Sequence, residues 1–420
     1  MFYGILRKLY RNFNFRAVNS VQNRERIPFE VQRAYLRQFQ DPEDDFQRAY
    51  FKYKCFVRYC YYDRVWLHAL YNAGAAVIYP FLYRKLIKKK LMMGRTAQTD
   101  TVDAVIENVP RLLNTDILPE AVVKRYQNIC EVKELNYRDI YLNETAADIC
   151  KELERRYPRR FYFRLIVMIK LALFSQYIDQ YHPRAIVFYS VEREFSGPLQ
   201  TLLCERCGMR YEAFMHGDYL YTLSFAFQRY SKYYIWDSAY NKMLEQLKCV
   251  SPTVVYRPDK LRGTAKKLEE HDCTYFASYY FSDESEESVK KISEIFRGFR
   301  ERGLRCKVRP HPRFSNLALI HQYFVDTDVE DINAYPLAQS ITDSLYIIGL
   351  STTVLSEAFF SGKRVVIDDV SNEVQYRELV ERGYIMMSRR HERLSALMCS
   401  VKENRKEYGS SCRFLMSQRM

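Results

Sequence analysis

The feature that most constrains the fold is an alternation of short apolar runs with longer amphipathic stretches, which begins near residue 100 and continues almost to the end of the chain. In the second half, residues 274–279 predict a strand, residues 285–302 a helix and residues 305–309 the next strand. Such alternation is typical of βαβ units, in which a helix connects two parallel strands. The sequence therefore predicts an α/β fold with parallel sheets.

The length of 420 residues indicates two such domains, because a single hydrophobic core stops growing at roughly 250 to 300 residues. We expect residues 101–256 to form an N-terminal Rossmann-like acceptor domain and residues 273–420 a C-terminal Rossmann-like nucleotide-donor domain. The polar, strandless residues 257–272 predict the linker between these domains. Residues 1–100 form a basic, aromatic-rich N-terminal extension.

Residues 1–100 carry most of the net charge of +14. Within them, residues 65–83 contain no charged side chain and lead into a basic run at 84–90. This stretch is just long enough to span a bilayer, yet His68 and Pro80 fit a buried or interfacial segment better. Three interpretations stay open: a segment buried in the N-terminal domain, a contact with one leaflet of an anionic membrane, or a spanning helix.

The N-terminal residues lack the apolar core of a secretory signal, so the eleven cysteines are expected to be reduced thiols. These features predict a cytoplasmic protein. The basic run additionally predicts a peripheral location on the inner face of the cell membrane.

Polar residues that end strands are the first candidates for function, because ligands of open parallel sheets bind beyond the carboxyl ends of the strands. Arg309 ends the predicted strand at 305–309, and His311 and Arg313 follow it, with two prolines that stiffen the segment. Guanidinium groups fork onto phosphate oxygens, and an imidazole adds a hydrogen bond or a proton. We predict a partly exposed phosphate site here, the alternative being a solvated basic turn.

A second cluster, Ser351, Thr352 and Thr353, lies between a predicted strand and a predicted helix. A helix N-terminus with free N–H groups and nearby hydroxyls binds anions, so these residues are candidates for nucleotide phosphate binding. Glu357, about one turn into the helix, is a candidate partner for ribose hydroxyls. The alternative is that the hydroxyls only cap the helix.

A third cluster, His216, Gly217 and Asp218, ends a predicted strand at 211–215. Glycine allows a close approach of substrate, while the imidazole and the carboxylate are candidates for a general base. Glu192 and Glu194, after the strand at 185–189, are competing carboxylate bases. A purely structural turn at 216–218 is the alternative.

Together, HG at 216–217, RPHP at 309–312 and STTVLSEA at 351–358 resemble the GT-B glycosyltransferases of bacterial surface polysaccharide synthesis. These include capsule-type enzymes and sialyl- and polysialyltransferases, and are related to CDP-glycerol glycerophosphotransferases. The resemblance covers about residues 100–400 at the level of the fold. It implies two Rossmann-like domains facing across a cleft, and inverting transfer of a sugar from a nucleotide-activated donor, with a CMP-sugar favoured.

The resemblance also assigns roles to individual residues. In sialyltransferase-like members an HP motif and a Ser/Thr pair hold the nucleotide phosphate, which here implies His311 and residues 351–353. In teichoic acid polymerase-like members the histidine of HG, here His216, is a base or an acceptor contact. The chain departs from these patterns, since it lacks adjacent acidic residues followed by glycine, and Gly349 and Leu350 stand where glycerophosphotransferases carry an acidic residue.

The resemblance implies no metal and no other cofactor, because GT-B enzymes neutralise the leaving phosphate with cationic side chains and a helix N-terminus. Asp326 and Asp328 have the spacing of a DxD metal motif, but their acidic surroundings predict a solvated loop. The expected partners are the nucleotide-activated donor, a glycan or lipid-linked acceptor and an anionic membrane surface, and not nucleic acid. A CDP-glycerol-type glycerophosphotransferase, or a non-catalytic protein that binds membranes or nucleic acid, are the alternatives.

Overall fold

The computed structural model describes residues 27–62, 64–92, 102–107, 126, 128–132, 140–189, 193–215, 217–258, 273–282, 284–312 and 314–403. The chain divides into two compact units. The first comprises Met1–His216 with Tyr221–Tyr256, and the second comprises Gly217–Leu220 with Arg257–Met420. Each unit contains one parallel sheet, so the predicted α/β fold with two parallel sheets is confirmed.

The first unit opens with three helices: α1 (Phe29–Arg37), α2 (Asp45–Cys60) and α3 (Val65–Met92). Its described strands are β1 (Ala104–Glu107), β2 (Ile129–Val132), β3 (Ala185–Tyr189), β4 (Arg210–Phe214), β5 (Lys232–Ile235) and β6 (Thr253–Val255). They are accompanied by the helices α4 (Glu144–Arg156), α5 (Phe161–Tyr181), α6 (Gly197–Arg206) and α7 (Tyr240–Gln246). The strand order is β2-β1-β3-β4-β5-β6.

Helix α5 is the core helix of the first unit. It packs against α3, α4 and α6, and its apolar stretch is 89% buried. By length and composition alone this helix is apolar enough to cross a membrane. Its burial instead identifies it as the apolar centre of a globular unit, because a helix that is hydrophobic all round needs neighbours on every side.

Helix α3 is the second described helix that is long and apolar enough to cross a membrane, over Val65–Ile87. Only 17% of this stretch is buried, so the interpretation of a segment buried in the domain does not describe it. One face is buried, through Ala75, Tyr79, Leu82 and Leu86. The opposite face exposes Trp66, Leu70, Val77 and Phe81. The helix therefore packs on the first unit by one side and presents apolar side chains on the other.

The second unit has the described strands β7 (Tyr275–Tyr280), β8 (Cys306–Arg309), β9 (Ser344–Gly349), β10 (Arg364–Ile367) and β11 (Glu392–Arg393). Its helices are α8 (Glu286–Arg300), α9 (Leu317–Tyr323), α10 (Leu337–Thr342), α11 (Thr353–Phe360), α12 (Glu373–Glu381) and α13 (Leu394–Glu403). The strand order is β11-β10-β9-β7-β8. The amphipathic helix α8 buries its apolar side chains in a core with residues of β7, β8, β9 and α13.

Both sheets are doubly wound. In each one the chain first adds a strand on one side and then crosses to the other, which places a reversal of strand order at β1 and β3 and another at β7 and β9. In such sheets ligands bind outside the carboxyl ends of the strands at this reversal. The fold therefore directs the search for a site to the residues that follow β3, β7 and β9.

Candidate functional site

The strand order of the second sheet reverses between β7 and β9. At this position the backbone of Gly349 lies close to a neighbouring side chain. Tyr279 pairs with Ile348, so Tyr280 and Gly349 are the neighbouring residues at the carboxyl edge. A Cβ atom on Gly349 would lie 3.0 Å from Thr352 Cγ2 and 3.4 Å from the Tyr280 carbonyl oxygen. Glycine therefore lets the start of α11 lie directly on the sheet edge.

The N-terminus of α11 is capped by Thr352. Its backbone is extended, and its Oγ1 accepts a hydrogen bond from the Val354 N–H at 3.4 Å. The buried Tyr384 hydroxyl donates to the Thr352 carbonyl oxygen at 3.3 Å. Ser351 and Thr353 are half-buried at the same helix start, and the Ser351 hydroxyl makes no hydrogen bond to the described residues. Thr352 thus serves its own helix, while Ser351 is the hydroxyl available to a ligand.

The loop after β8 carries His311 to the same edge. The His311 N–H donates to Ser315 Oγ at 2.7 Å, and that hydroxyl donates to the Ser282 carbonyl oxygen at 3.3 Å. Ser282 follows β7, so these two bonds join the loops of neighbouring strands. The His311 ring stacks on Phe314 with the ring centroids 4.6 Å apart. His311 is therefore held at the carboxyl edge of β7 and β8.

Arg309 is buried, so the expectation of a partly exposed side chain is wrong for this residue. Its Nη1 donates to the Glu330 carboxylate and, at 2.9 Å, to the Tyr335 carbonyl oxygen. Lys307 Nζ lies 3.6 Å from the other Glu330 oxygen. The guanidinium thus ties β8 to the acidic loop, and a phosphate contact by Arg309 stays a prediction. Arg313 lies outside the described residues.

Asp218 lies against α11 within the second unit. Ser356 Oγ, one turn into the helix, donates to Asp218 Oδ2 at 2.5 Å, and Arg389 Nη1 donates to Ser356 Oγ at 2.9 Å. A Cβ atom on Gly217 would lie 3.6 Å from Thr353 Cγ2. Gly217 and Asp218 of one predicted cluster therefore meet the cluster at 351–353 at the start of one helix.

The surroundings of Asp218 are sheltered. Burial raises the pKa of the Tyr384 hydroxyl well above its ordinary value, and the Asp218 charge adds to the rise. Tyr384 therefore stays protonated and keeps donating to Thr352. The Arg389 guanidinium lies 4.7 Å from the ring centre of Phe360, which holds it over the end of α11.

The reversal point of the first sheet carries Glu194, which follows β3. Lys170 Nζ, on the core helix α5, donates to Glu194 Oε1 at 2.6 Å. Glu194 Oε2 is shielded from solvent and has no hydrogen-bond partner within the described residues. Glu194 is thus a carboxylate held by one buried cation. Glu192 lies outside the described residues.

The structure brings together part of the predicted site. Gly217, Asp218 and residues 351–353 lie at the start of α11, and Glu357 is half-buried on the same helix. His216 lies outside the described residues, and the catalytic and binding roles of all these residues stay predictions. Ser356 and Arg389 were missed. Ser356 lies four residues after Thr352, a spacing that places it one helical turn further along. Nothing near Arg389 in the sequence indicates its contact with Ser356.

The acidic loop does not have the form of a metal centre. Asp326–Asp328 is a short 3₁₀ helix, in which Asp328 pairs with Arg300 at 2.8 Å. Within the described part of the chain there is no group of three or more His, Cys, Asp or Glu side chains that would hold a metal ion. The metal-independent mechanism stays a prediction.

No family model matches the sequence, and no curated protein matches it. Among solved structures it is similar to the glycotransferase of kitacinnamycin, with 10% identity, 75% of this chain and 93% of that chain covered, and a TM-score of 0.40. The UDP-GlcNAc 2-epimerase of Methanocaldococcus jannaschii, in complex with UDP-GlcNAc and UDP, has 13% identity and a TM-score of 0.42, with 72% of this chain and 92% of that chain covered. The glycosyltransferase VinC in complex with dTDP has 11% identity and a TM-score of 0.40, with 74% of this chain and 93% of that chain covered. Similarities this weak assign neither a family nor an activity to this chain.

Proposed function

We propose that this chain is an inverting, metal-independent glycosyltransferase of the GT-B type. It transfers a sugar from a nucleotide-activated donor, with a CMP-sugar favoured, to a cell-surface polysaccharide or a lipid-linked glycan. The observation that carries the proposal is the coincidence of the predicted anion-binding cluster at 349–353 with the reversal point of the second sheet. A doubly wound sheet offers its ligand site at that point.

The donor phosphate is assigned to the start of α11. The helix directs its free N–H groups and the positive end of its dipole at this point, which stabilises an anion. The half-buried Ser351 hydroxyl adds a hydrogen bond, and the loop of His311, joined to Ser282 after the neighbouring strand, supports the same edge. In the transfer, the bond from the anomeric carbon to the donor phosphate oxygen breaks, and the negative charge develops on that phosphate.

The general base is assigned to His216 with Asp218. The acceptor hydroxyl oxygen attacks the anomeric carbon, and its proton passes to the base as the phosphate leaves. What supports this choice is the position of Asp218, which is hydrogen-bonded to Ser356 on the helix that would hold the phosphate. Glu192 and Glu194 are the competing bases.

The protein is further proposed to bind the cytoplasmic leaflet peripherally through α3. Trp66, Leu70, Val77 and Phe81 lie on one helical face and are each more than half exposed. The opposite face packs on the first unit, which favours a helix lying in the membrane interface over a spanning one. Arg84 and Lys85, at the end of the apolar stretch, are exposed and suit anionic headgroups.

Nucleotide binding tests the core of the proposal. The melting temperature of the full chain is measured by differential scanning fluorimetry with CMP, CDP, UDP and GDP in parallel. A nucleotide that binds only the folded state raises the melting temperature, by an amount that follows its saturation. We expect CMP to give the largest rise. If none of the four changes the melting temperature, the donor site does not exist.

A further inference from the structure

Two adjoining cavities of about 320 and 310 Å³ lie along α1 and α2 in the first unit. They share the side chains of Tyr35 and Lys54, so the two cavities adjoin and are described together as one groove. The second cavity also reaches Val65 at the start of α3 and Arg160 before α5. Each cavity alone has the size of a small-ligand site. We call the pair the tyrosine groove, because five tyrosines line it: Tyr35, Tyr50, Tyr53, Tyr61 and Tyr62.

The groove carries positive charge without compensation. Lys54, Arg58 and Arg160 line it, and no Asp or Glu does so among the described residues. None of these three side chains makes an ion pair or a hydrogen bond to the described part of the chain. Two of them lie over aromatic rings instead: Lys54 Nζ is 4.9 Å from the ring centre of Phe39, and the Arg58 guanidinium is 4.6 Å from that of Tyr62.

Arg58, Arg164 and Arg229 each have one shielded N–H donor without a hydrogen bond to the described residues, but Arg58 differs from the other two in having no ion pair with those residues. Arg164 pairs with Glu154 at 3.4 Å, and Arg229 pairs with Asp45 at 3.0 Å. Arg58 Nε is shielded from solvent and has no hydrogen-bond partner among the described residues. A buried N–H donor without a partner costs free energy, so most such groups in proteins are paired. The groove therefore holds a guanidinium with one sheltered N–H donor that has no partner among the described residues.

Tyr53 and Tyr61 are buried, and the Tyr53 hydroxyl is hydrogen-bonded to His68, so the hydroxyl groups within reach of a ligand are those of the half-buried Tyr35, Tyr50 and Tyr62. Tyr50 stacks on Tyr157 with the ring centroids 4.4 Å apart, and the Tyr53 ring lies 5.0 Å from that of Phe163. The Tyr62 ring already carries a guanidinium. Single-stranded nucleic acid needs open aromatic faces on which its bases stack. A ligand rich in hydroxyl groups fits these side chains better, because phenol hydroxyls both donate and accept hydrogen bonds.

We propose that the tyrosine groove binds an anionic saccharide, that is, a sugar chain that carries carboxylate or phosphate groups. The Arg58 guanidinium forks onto one of these groups, since its planar donors match the oxygens of carboxylate and phosphate. Lys54 and Arg160 supply flanking charge, and the hydroxyls of Tyr35, Tyr50 and Tyr62 bind sugar hydroxyls. The two adjoining cavities, of about 320 and 310 Å³, offer space for more than one sugar unit. The binding of this saccharide in the groove does not depend on the proposed function. Its identification as the acceptor does rest on that function.

Isothermal titration calorimetry on the full chain tests the proposal with a galacturonic acid trimer and, as the neutral counterpart, maltotriose. We expect the anionic trimer to bind and the neutral trimer not to. Arg58→Ala should weaken binding at least about tenfold, and Arg58→Lys should give an intermediate loss because it keeps the charge and loses the fork. Arg155→Ala is the matched control, since it removes an equally charged but exposed side chain of the same unit.

Further arms identify the source of the anion. If glucose 1-phosphate binds and Arg58→Ala weakens this binding, the ligand is a sugar phosphate. If the galacturonic acid trimer binds and glucose 1-phosphate does not, the ligand is a sugar with carboxylate groups. The proposal is overturned if neither anionic probe binds, if maltotriose binds equally, or if Arg58→Ala behaves like Arg155→Ala. Tighter, Arg58-dependent binding of an oligothymidylate also overturns it and reassigns the groove to nucleic acid. The CMP-dependent melting shift of Arg58→Ala should match that of the unmodified chain, which separates failure here from failure of the donor site.

Discussion

Ser356 Oγ donates a hydrogen bond to the Asp218 carboxylate at 2.5 Å while it accepts one from Arg389 at 2.9 Å. A hydroxyl thus links a carboxylate to a guanidinium, next to the helix start to which the donor phosphate is assigned. Hydrogen bonds to charged groups are stronger than those between neutral groups. The hydrogen bond from Ser356 therefore fixes the position of the Asp218 carboxylate against α11.

The first prediction concerns this link. Ser356→Ala should lower kcat by roughly tenfold, or about 1.4 kcal/mol, with nucleotide affinity nearly unchanged, because Asp218 loses its orientation while the phosphate site is intact. Steady-state kinetics and calorimetry with the nucleotide measure the two effects. Ser293→Ala is the control, since Ser293 is also buried, in α8, and its hydroxyl donates to the Lys290 carbonyl oxygen. Equal rates for both variants would show that Ser356 serves packing alone.

Ser351 and Thr352 should respond differently to loss of their hydroxyls. Thr352→Ala removes the cap of α11 and should cost about 1 kcal/mol of unfolding free energy. Ser351→Ala removes the hydroxyl that has no described partner and should weaken nucleotide binding by roughly 1 kcal/mol with little effect on stability. Chemical denaturation and nucleotide titration of both variants check this. Should Ser351→Ala bind nucleotide normally, its assignment to the phosphate would be abandoned.

Arg309 and His311 lie two residues apart in the motif but should behave as different kinds of residue. Arg309→Ala leaves the buried Glu330 carboxylate with Lys307 alone at 3.6 Å, so it should lower the free energy of unfolding by about 3 kcal/mol. His311→Ala removes a half-buried ring and should change stability by less than about 1 kcal/mol while it abolishes transfer. Urea denaturation and activity assays separate the two. Equal stability of both variants would contradict the structural role of Arg309.

The sequence predicted the parallel strands best where they are short, apolar and flanked by helices. The expected strand at 185–189 coincides with β3, and β8 lies wholly within the strand expected at 305–309. It missed β2 and β6; β6 has three residues and lies at the edge of its sheet, where Val255 is half exposed, so no apolar run marks it. It also missed β11, which is only two residues long. Periodicity needs more residues than these strands contain.

For the site, the sequence located strand ends but not partners. The acidic run was expected to be solvated, which is wrong for Glu330, because this carboxylate is buried against Arg309. Pairs such as Arg389 and Ser356 are far apart in sequence, and only the tertiary fold determines which polar groups meet. A sequence motif therefore indicates where a functional site is possible. Only the structure shows which of its side chains already have hydrogen-bond partners within the protein.

Membrane binding through α3 gives the fourth prediction. Flotation with phosphatidylglycerol liposomes should recover the chain at low salt, and recovery should fall sharply at high salt because charged headgroups are screened. Phe81→Ser, which removes an exposed apolar side chain, should reduce recovery severalfold, as should Lys88→Gln, Lys89→Gln and Lys90→Gln together. Val374→Ser is the control, an equally exposed apolar residue of the second unit. Binding that ignores salt would indicate a spanning helix, and absence of binding would remove the membrane proposal.

The last prediction distinguishes the two candidate bases. His216→Ala should lower turnover by roughly 10²-fold or more with donor affinity nearly unchanged, as expected for a lost transition-state contact. Glu194→Gln leaves the buried Lys170 without its carboxylate partner, so any loss of activity must be compared with the Glu194→Gln/Lys170→Met pair, which removes both charges. The pH profile adds a second readout: a histidine base gives an acid limb of kcat/KM near about 6.5, whereas a carboxylate gives one near about 4. Two results together would make the base a carboxylate of the first unit. One is loss of activity in the double variant Glu194→Gln/Lys170→Met or in Glu192→Gln; the other is normal turnover of His216→Ala with an acid limb near about 4. The position of Asp218 at α11 would then serve donor binding instead.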